Sequence, residues 1–246
     1  MLWLGHILSR LIEIENLKKA YGSFVLSVEG FSLYAGEVVG VVGRNGAGKS
    51  TFLDLILGER SKDAGLVSLF NGEMEPCEID AKRRIGFVVD NSGFDGRFSL
   101  REAGRVLSYI YDTWDENLFF DLLEKFSLGQ DAQLDSFSRG MAIKGQLSLA
   151  LAHRPQLLIL DEITSGLDPV SRLEILGILR AYILADSNRG AIYTTHITDD
   201  LKVFADRVML LDAGEVLSID PVAHYKNASI DYALLDKVCL RKGAFA

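Results

Sequence analysis

Residues 43–50 read Gly43-Arg44-Asn45-Gly46-Ala47-Gly48-Lys49-Ser50, which matches the pattern G-x-x-x-x-G-K-[ST]. The glycines let the backbone curl until successive N–H groups point inward, which creates a concave site for phosphate oxygens. Lys49 is long enough to reach β- and γ-phosphates, and the Ser50 hydroxyl suits Mg²⁺, a cation that prefers oxygen ligands. The pattern therefore predicts a site for ATP and Mg²⁺ over residues 43–51, with Thr51 as its last member.

The segments on either side of this loop have the periodicity that such a site requires. Val38–Val42 is apolar throughout, as expected of a parallel strand that is buried on both faces. Residues 51–57 have helical spacing, and Gly58 follows where a helix would end. An ordinary glycine-rich turn is the alternative, but such a turn does not require the Lys-Ser-Thr sequence that follows the last glycine.

The rest of the chain alternates between strand and helix patterns. Strands are predicted over 11–17, 25–33, 67–70, 85–89, 157–160 and 191–195, and in a hairpin over 208–218. Helices are predicted over 99–126, 138–152, 171–184 and 199–204. This order indicates an α/β fold, a P-loop NTPase core with a largely parallel sheet, N-terminal antiparallel strands and an inserted helical subdomain at about 92–152.

A pair of carboxylates follows the apolar run Leu157–Leu160. A buried strand that ends in Asp161 and Glu162 places both acids at the carboxyl edge of the sheet, where open α/β sheets bind ligands. Asp161 is predicted to hold Mg²⁺, and Glu162 to orient or deprotonate the attacking water. A surface Asp-Glu turn is the alternative, and it is disfavoured by the phosphate loop elsewhere in the chain.

Composition limits the possible partners. The chain has 246 residues, 48% of them apolar, and a formal net charge of −8, which argues against a nucleic-acid partner. Its two cysteines, Cys77 and Cys239, indicate free thiols rather than a disulfide framework. No run of apolar residues reaches the ~18 needed to span a bilayer. We expect a protein that is soluble when isolated and needs another chain to hold it at a membrane.

Several further motifs follow in a fixed order, and together they resemble those of the ATP-binding cassette (ABC) ATPases. The resemblance covers about residues 11–220 and is carried by four features besides the phosphate loop and the acids. These are the signature-like Phe137-Ser138-Arg139-Gly140-Met141, the D-loop Ser165-Gly166-Leu167-Asp168, the switch histidine His196, and the aromatic Tyr21. We expect one ABC ATPase domain over 11–220, an N-terminal extension over 1–10 and a C-terminal tail over 221–246.

The resemblance implies a mechanism as well as a fold. Two ATPase subunits, as a homodimer or a heterodimer, would enclose two ATP molecules, and Ser138, Arg139 and Gly140 of one would face the γ-phosphate in the other. Tyr21 would stack on adenine, and His196 would contact the γ-phosphate. A separate transmembrane permease would be the membrane partner, at the cytoplasmic face of the cell membrane.

The sequence departs from the family pattern at several positions. Arg139 replaces a glycine of the signature, and Ile163 replaces the proline that usually follows the catalytic glutamate. Asp90 stands where the Q-loop glutamine, a Mg²⁺ ligand, is expected, and an Asp oxygen can serve the same cation. With these departures and the Tyr111–Asp115 segment, the sequence is most similar to the ATPase subunits of bacterial ABC-2-type exporters.

Two other functions remain open at this point. A soluble ABC ATPase of an assembly or regulatory complex would carry the same motifs, whereas a small-molecule kinase with a P-loop would not need the signature, the D-loop or His196. The motifs do not indicate the transported substrate, because the membrane subunit of such a transporter selects it.

Overall fold

The computed structural model describes residues 9–89, 94–225, 230 and 237. The strands in this part of the chain are β1 (Arg10–Tyr21), β2 (Phe24–Tyr34), β3 (Val38–Val42), β4 (Ala64–Leu69), β5 (Ile85–Val88), β6 (Leu157–Asp161), β7 (Gly190–Thr194), β8 (Arg207–Asp212) and β9 (Glu215–Pro221). The helices are α1 (Lys49–Ile56), α2 (Ile79–Arg83), α3 (Leu100–Ile110), α4 (Glu116–Lys125), α5 (Arg139–Ala152), α6 (Pro169–Leu184) and α7 (Thr198–Phe204). Among these residues, no helix is both long and apolar enough to cross a bilayer.

All these strands join one sheet in the order β4-β1-β2-β9-β8-β3-β7-β6-β5. The pairs β3–β7, β3–β8, β6–β7, β5–β6 and β2–β9 are parallel. The pairs β1–β2, β1–β4 and β8–β9 are antiparallel. This mixed sheet confirms the predicted α/β fold with antiparallel strands near the N-terminus.

Side-chain alternation along the central strands divides the core between two faces of the sheet. Val38 and Val42 of β3 pack into one apolar cluster with residues of α3 to α7, whereas Val39 and Val41 pack into a second cluster. The second cluster contains α1 and the inward residues of β1 and β2. A strand covered on both faces has to be apolar at every position, which explains the uninterrupted runs in β3 and β6.

The helical region between β5 and β6 differs in detail from the sequence prediction. The single helical stretch expected over 99–126 is two helices, because Asp115 begins a new one by accepting a hydrogen bond from the Leu118 N–H at 3.0 Å. Ser99 begins α3 in a capping box with Glu102. The short helix α2 was not predicted from the sequence.

The strand order brings three carboxyl ends together. Strand β7 lies between β3 and β6, and Thr194 at its end is aligned with both Val41 and Asp161. Because these strands are parallel, the loops that follow them emerge at the same edge of the sheet.

Candidate functional site

The loop between β3 and α1 encloses a cavity of about 440 Å³. It is lined by Phe24, Glu162 and the residues Asn45, Gly46, Ala47, Gly48, Lys49, Ser50 and Thr51. Gly46 (φ 79°) and Gly48 (φ 109°) have left-handed backbone conformations that favour glycine. Gly43 is constrained by space instead, since a Cβ there would lie 2.3 Å from the Leu211 carbonyl oxygen. Each loop glycine thus has a steric reason to be present.

Lys49 folds back over this loop. It is the first residue of α1, and its side chain is 7% exposed. The Nζ atom donates a hydrogen bond to the Gly43 carbonyl at 2.9 Å and lies 3.4 Å from Glu162 Oε1. The amine therefore lies across the mouth of the loop, where it can reach a phosphate oxygen.

Glu162 stands between two potential cations. Besides Lys49, its Oε2 atom lies 3.4 Å from Nδ1 of His196, in the loop after β7. Glu162 has a positive φ of 50°, an uncommon backbone conformation for a non-glycine residue. Its N–H is held by the Thr194 carbonyl and hydroxyl, both at 3.1 Å. The structure thus brings Lys49, Glu162 and His196 together, as expected from the motifs.

Asp161, the last residue of β6, is partly buried. Burial raises its pKa, and the charges of Glu162 and Asp54 act in the same direction, whereas the hydrogen bond from the Thr194 hydroxyl and the charge of Lys49 oppose them. Asp161 and Glu162 therefore place two carboxylates near Lys49 at this edge of the sheet, whereas Asp54 of α1 pairs with Arg60. The oxygen atoms of these two acids are of the kind that Mg²⁺ prefers as ligands.

The signature-like residues lie on a different surface. Ser138 caps the N-terminus of α5, and its Oγ accepts a hydrogen bond from the Met141 N–H at 3.3 Å. Ser138 and Arg139 are exposed. Within the described part of the chain, neither these residues nor Gly140 line the cavity at the phosphate loop.

The D-loop contacts the signature within the same chain. A Cβ on Gly166 would lie 2.8 Å from Arg139 Nη1, and one on Gly140 would lie 3.6 Å from Leu167 Cδ2. Asp168 caps α6 by accepting hydrogen bonds from the N–H groups of Val170 and Ser171, both at 3.0 Å. Ser165 connects this turn to the acid pair, because its N–H donates to the Glu162 carbonyl at 3.1 Å.

The sequence profile of the family described as "ABC transporter" matches residues 27–165, more than half of the chain. The chain belongs to the ABC transporter family. It is an ATP-binding and ATP-hydrolysing subunit of an ABC transporter, with the phosphate loop and acid pair described above.

Sequence identity to individual relatives supports this assignment. The chain is 32% identical to the linearmycin resistance ATP-binding protein LnrL of Bacillus subtilis over 216 residues, 85% of this chain and 68% of that protein. It is 35% identical to the Nod factor export ATP-binding protein I of Rhizobium johnstonii over 214 residues, 84% of this chain and 68% of that protein. These relatives confirm the resemblance to the ATPase subunits of bacterial exporters.

A solved structure described as an ATP-binding subunit of an ABC transporter has the same fold. It superimposes with a TM-score of 0.82 at 25% identity and covers 93% of this chain and 99% of its own.

Two other predicted site residues of this ABC ATPase are Tyr21 and Asp90. Tyr21, predicted to stack on adenine, is 39% exposed, and the centroid of its ring lies 5.5 Å from Lys19 Nζ and 5.7 Å from Arg60 Cζ. Tyr21 does not line the cavity in the described residues, so its role stays a prediction. Asp90, the predicted Q-loop ligand, lies outside the described residues.

Sequence reasoning missed two members of the site. Phe24 lines the cavity, and its ring is the nearest neighbour of a Cβ placed on Gly48, at 3.0 Å. Thr194 bonds both Asp161 and the backbone of Glu162. In the sequence, Thr194 is marked only by its position at the end of an apolar strand. The register between β6 and β7, which aligns Thr194 with Asp161, is what brings the two side chains into contact.

Proposed function

We propose that this chain drives export of a substrate through a separate transmembrane permease, by hydrolysing Mg-ATP between two ABC ATPase subunits. The observation that carries the proposal is the Lys49–Glu162–His196 cluster beside the phosphate loop. The direction of transport follows the relatives, one named for Nod factor export and one for linearmycin resistance.

Each side chain of the cluster has a distinct role. Glu162 orients the attacking water and accepts its proton, because its carboxylate is one-third exposed and faces the cavity. Lys49 exchanges its present contacts with Gly43 and Glu162 for phosphate oxygens. His196 stabilises the charge that develops on the γ-phosphate. Ser50 and Asp161 would hold Mg²⁺, which when bound would neutralise phosphate charge.

The second subunit completes each site. Ser138 and Arg139 are exposed at the N-terminus of the 14-residue helix α5, where the positive end of the helix dipole favours an anion. Two copies related by a two-fold axis would each place this surface over the other's phosphate loop. Arg139 adds a cation where the family usually has glycine. Homodimer and heterodimer partners are both compatible with this arrangement.

A groove between the sheet and the helical region provides a surface for the permease. The groove has a volume of about 420 Å³, and its apolar lining includes Phe87, Phe94, Leu107 and Tyr111. Phe87 is 42% exposed on β5, the strand at this edge of the sheet. A helix of the permease that packs here would keep this chain on the cytoplasmic face of the membrane as a peripheral subunit.

The substitution Glu162→Gln tests the proposed chemistry. We expect kcat for ATP hydrolysis to fall about 10²- to 10⁴-fold, the usual contribution of a general base, while ATP binding persists. Glu29→Gln, at an exposed position of β2, is the matched control and should hydrolyse ATP at the normal rate. A Glu162→Gln protein with normal turnover would refute the catalytic role. Co-purification of the chain with a purely soluble complex would refute the proposed permease partner.

A further inference from the structure

A buried polar cluster lies directly behind the hydrolytic site. Asp200 is 3% exposed, and the side chains of Thr164 and Tyr193 are fully buried. The Thr164 hydroxyl donates to Asp200 Oδ2 at 2.6 Å, and the Tyr193 hydroxyl lies 3.0 Å from the same oxygen and 2.5 Å from Thr164 Oγ1. Arg172 Nε donates to the other oxygen, Oδ1, at 3.1 Å. This carboxylate of α7 thus contacts groups from three other segments: the turn after β6, strand β7 and helix α6.

The cluster connects the two loops that carry Glu162 and His196. Thr164 lies two residues after Glu162, in the turn closed by the Ser165 N–H to the Glu162 carbonyl. Asp200 lies in the first turn of α7, which begins two residues after His196. Its N–H donates to the Ile197 carbonyl at 3.1 Å, and the Ile197 N–H in turn donates to Thr195 Oγ1 at 2.9 Å. The Thr164–Asp200 hydrogen bond is therefore a short link between the catalytic glutamate and the switch histidine.

The hydrogen bonds and the counter-charge around Asp200 stabilise this link. A buried carboxylate is costly unless it is matched by a counter-charge and hydrogen-bond donors. Arg172 supplies the charge, and the two hydroxyls supply donors, so removal of any member leaves the others incompletely satisfied. Burial raises the pKa of Tyr193, and the charge of Asp200 adds to this effect, which keeps the phenol protonated as a donor.

We propose that Asp200 is a positioning residue for ATP hydrolysis, which holds the Glu162 turn and the His196 loop in one fixed relation. The inference rests on the function proposed above. Asp200 and Thr164 do not line the phosphate-loop cavity within the described residues, so they act through Glu162 and His196 and not on the nucleotide. Loss of the link changes the 3.4 Å separation between the Glu162 carboxylate and the His196 ring.

The experiment measures steady-state hydrolysis of Mg-ATP by the full-length chain and its variants. Asp200→Asn and Thr164→Val, which removes the hydroxyl at nearly constant shape, should lower kcat about 10- to 100-fold, as expected for misplaced catalytic groups. KM for ATP should change little, because the phosphate loop is untouched. Thr164→Ser keeps the hydroxyl and should restore most of kcat. Asp199→Asn is the matched control, because Asp199 is the residue before Asp200 and its side chain is exposed.

A double-mutant cycle separates positioning from general destabilisation. If Thr164 and Asp200 act through one link, the double variant should be no slower than the slower single variant. Should Asp200→Asn fail to fold, the comparison of Thr164→Val with Thr164→Ser carries the test alone.

Two results would overturn the inference. In one, kcat per folded molecule is unchanged in Thr164→Val and Asp200→Asn, and only the melting temperature falls. In the other, Thr164→Ser is as slow as Thr164→Val. Either result, obtained while Glu162→Gln is inactive, leaves the proposed function intact, whereas a wild-type chain that hydrolyses no Mg-ATP refutes both.

Discussion

The histidine at the end of α5 makes the stability of this protein depend on pH. His153 is 3% exposed, its ring stacks on Tyr111 with centroids 4.0 Å apart, and its Nδ1 atom has no hydrogen-bond partner among the described residues. Burial lowers the pKa of His153 from 6.5 to about 4, and a hydrogen bond to the Arg83 backbone opposes this effect. The folded protein therefore keeps this imidazole neutral well below the pH at which the unfolded chain protonates it.

The sign and size of the effect follow from this difference. Between about pH 6.5 and pH 4, the unfolded chain binds a proton at His153 that the folded chain does not, so the free energy of unfolding falls as the pH is lowered. Each pH unit in this window is worth about 1.4 kcal/mol, which makes the full loss about 3 kcal/mol and the loss at about pH 5 roughly 2 kcal/mol.

Urea unfolding at about pH 7.5 and about pH 5 measures this loss. In His153→Phe, which retains an aromatic ring against Tyr111, the roughly 2 kcal/mol difference between the two pH values should disappear. His224→Phe, at an exposed position, is the control and should keep it. The reasoning is wrong if His153→Phe loses as much stability on acidification as the wild-type protein does.

Two further predictions concern local geometry. Ser99→Ala removes the capping box of α3 and should lower the free energy of unfolding by about 1 kcal/mol in urea, whereas Ser108→Ala in the same helix should be almost neutral; equal losses would contradict the capping role. Gly43→Ala places a Cβ 2.3 Å from the Leu211 carbonyl, so it should cost about 1–3 kcal/mol and weaken ATP binding measured by titration. Gly30→Ala, with open space around its Cβ, should do neither, and normal ATP affinity in Gly43→Ala would show that the loop can shift.

Local spacing was sufficient to predict much of this protein. The phosphate loop, the apolar run of β3, the acids at the end of β6 and the alternation in β1 and β2 can all be predicted, because each depends on neighbours within about one turn or one strand. The predicted α/β fold was confirmed for the same reason. The interruption between α3 and α4 was missed, since helical spacing on both sides of Asp115 conceals the cap that begins the second helix.

Contacts between distant segments required the tertiary structure. Glu162 meets Lys49 and His196, and Thr194 meets Asp161, only because β7 lies between β3 and β6 in the sheet. Strand order is set by the crossover connections and by which apolar faces of helices and sheet pack against each other. Neither produces a local pattern in the sequence. The sequence by itself thus identified the chemical groups of the site. The parallel register of β3, β7 and β6 decided which of those groups are in contact.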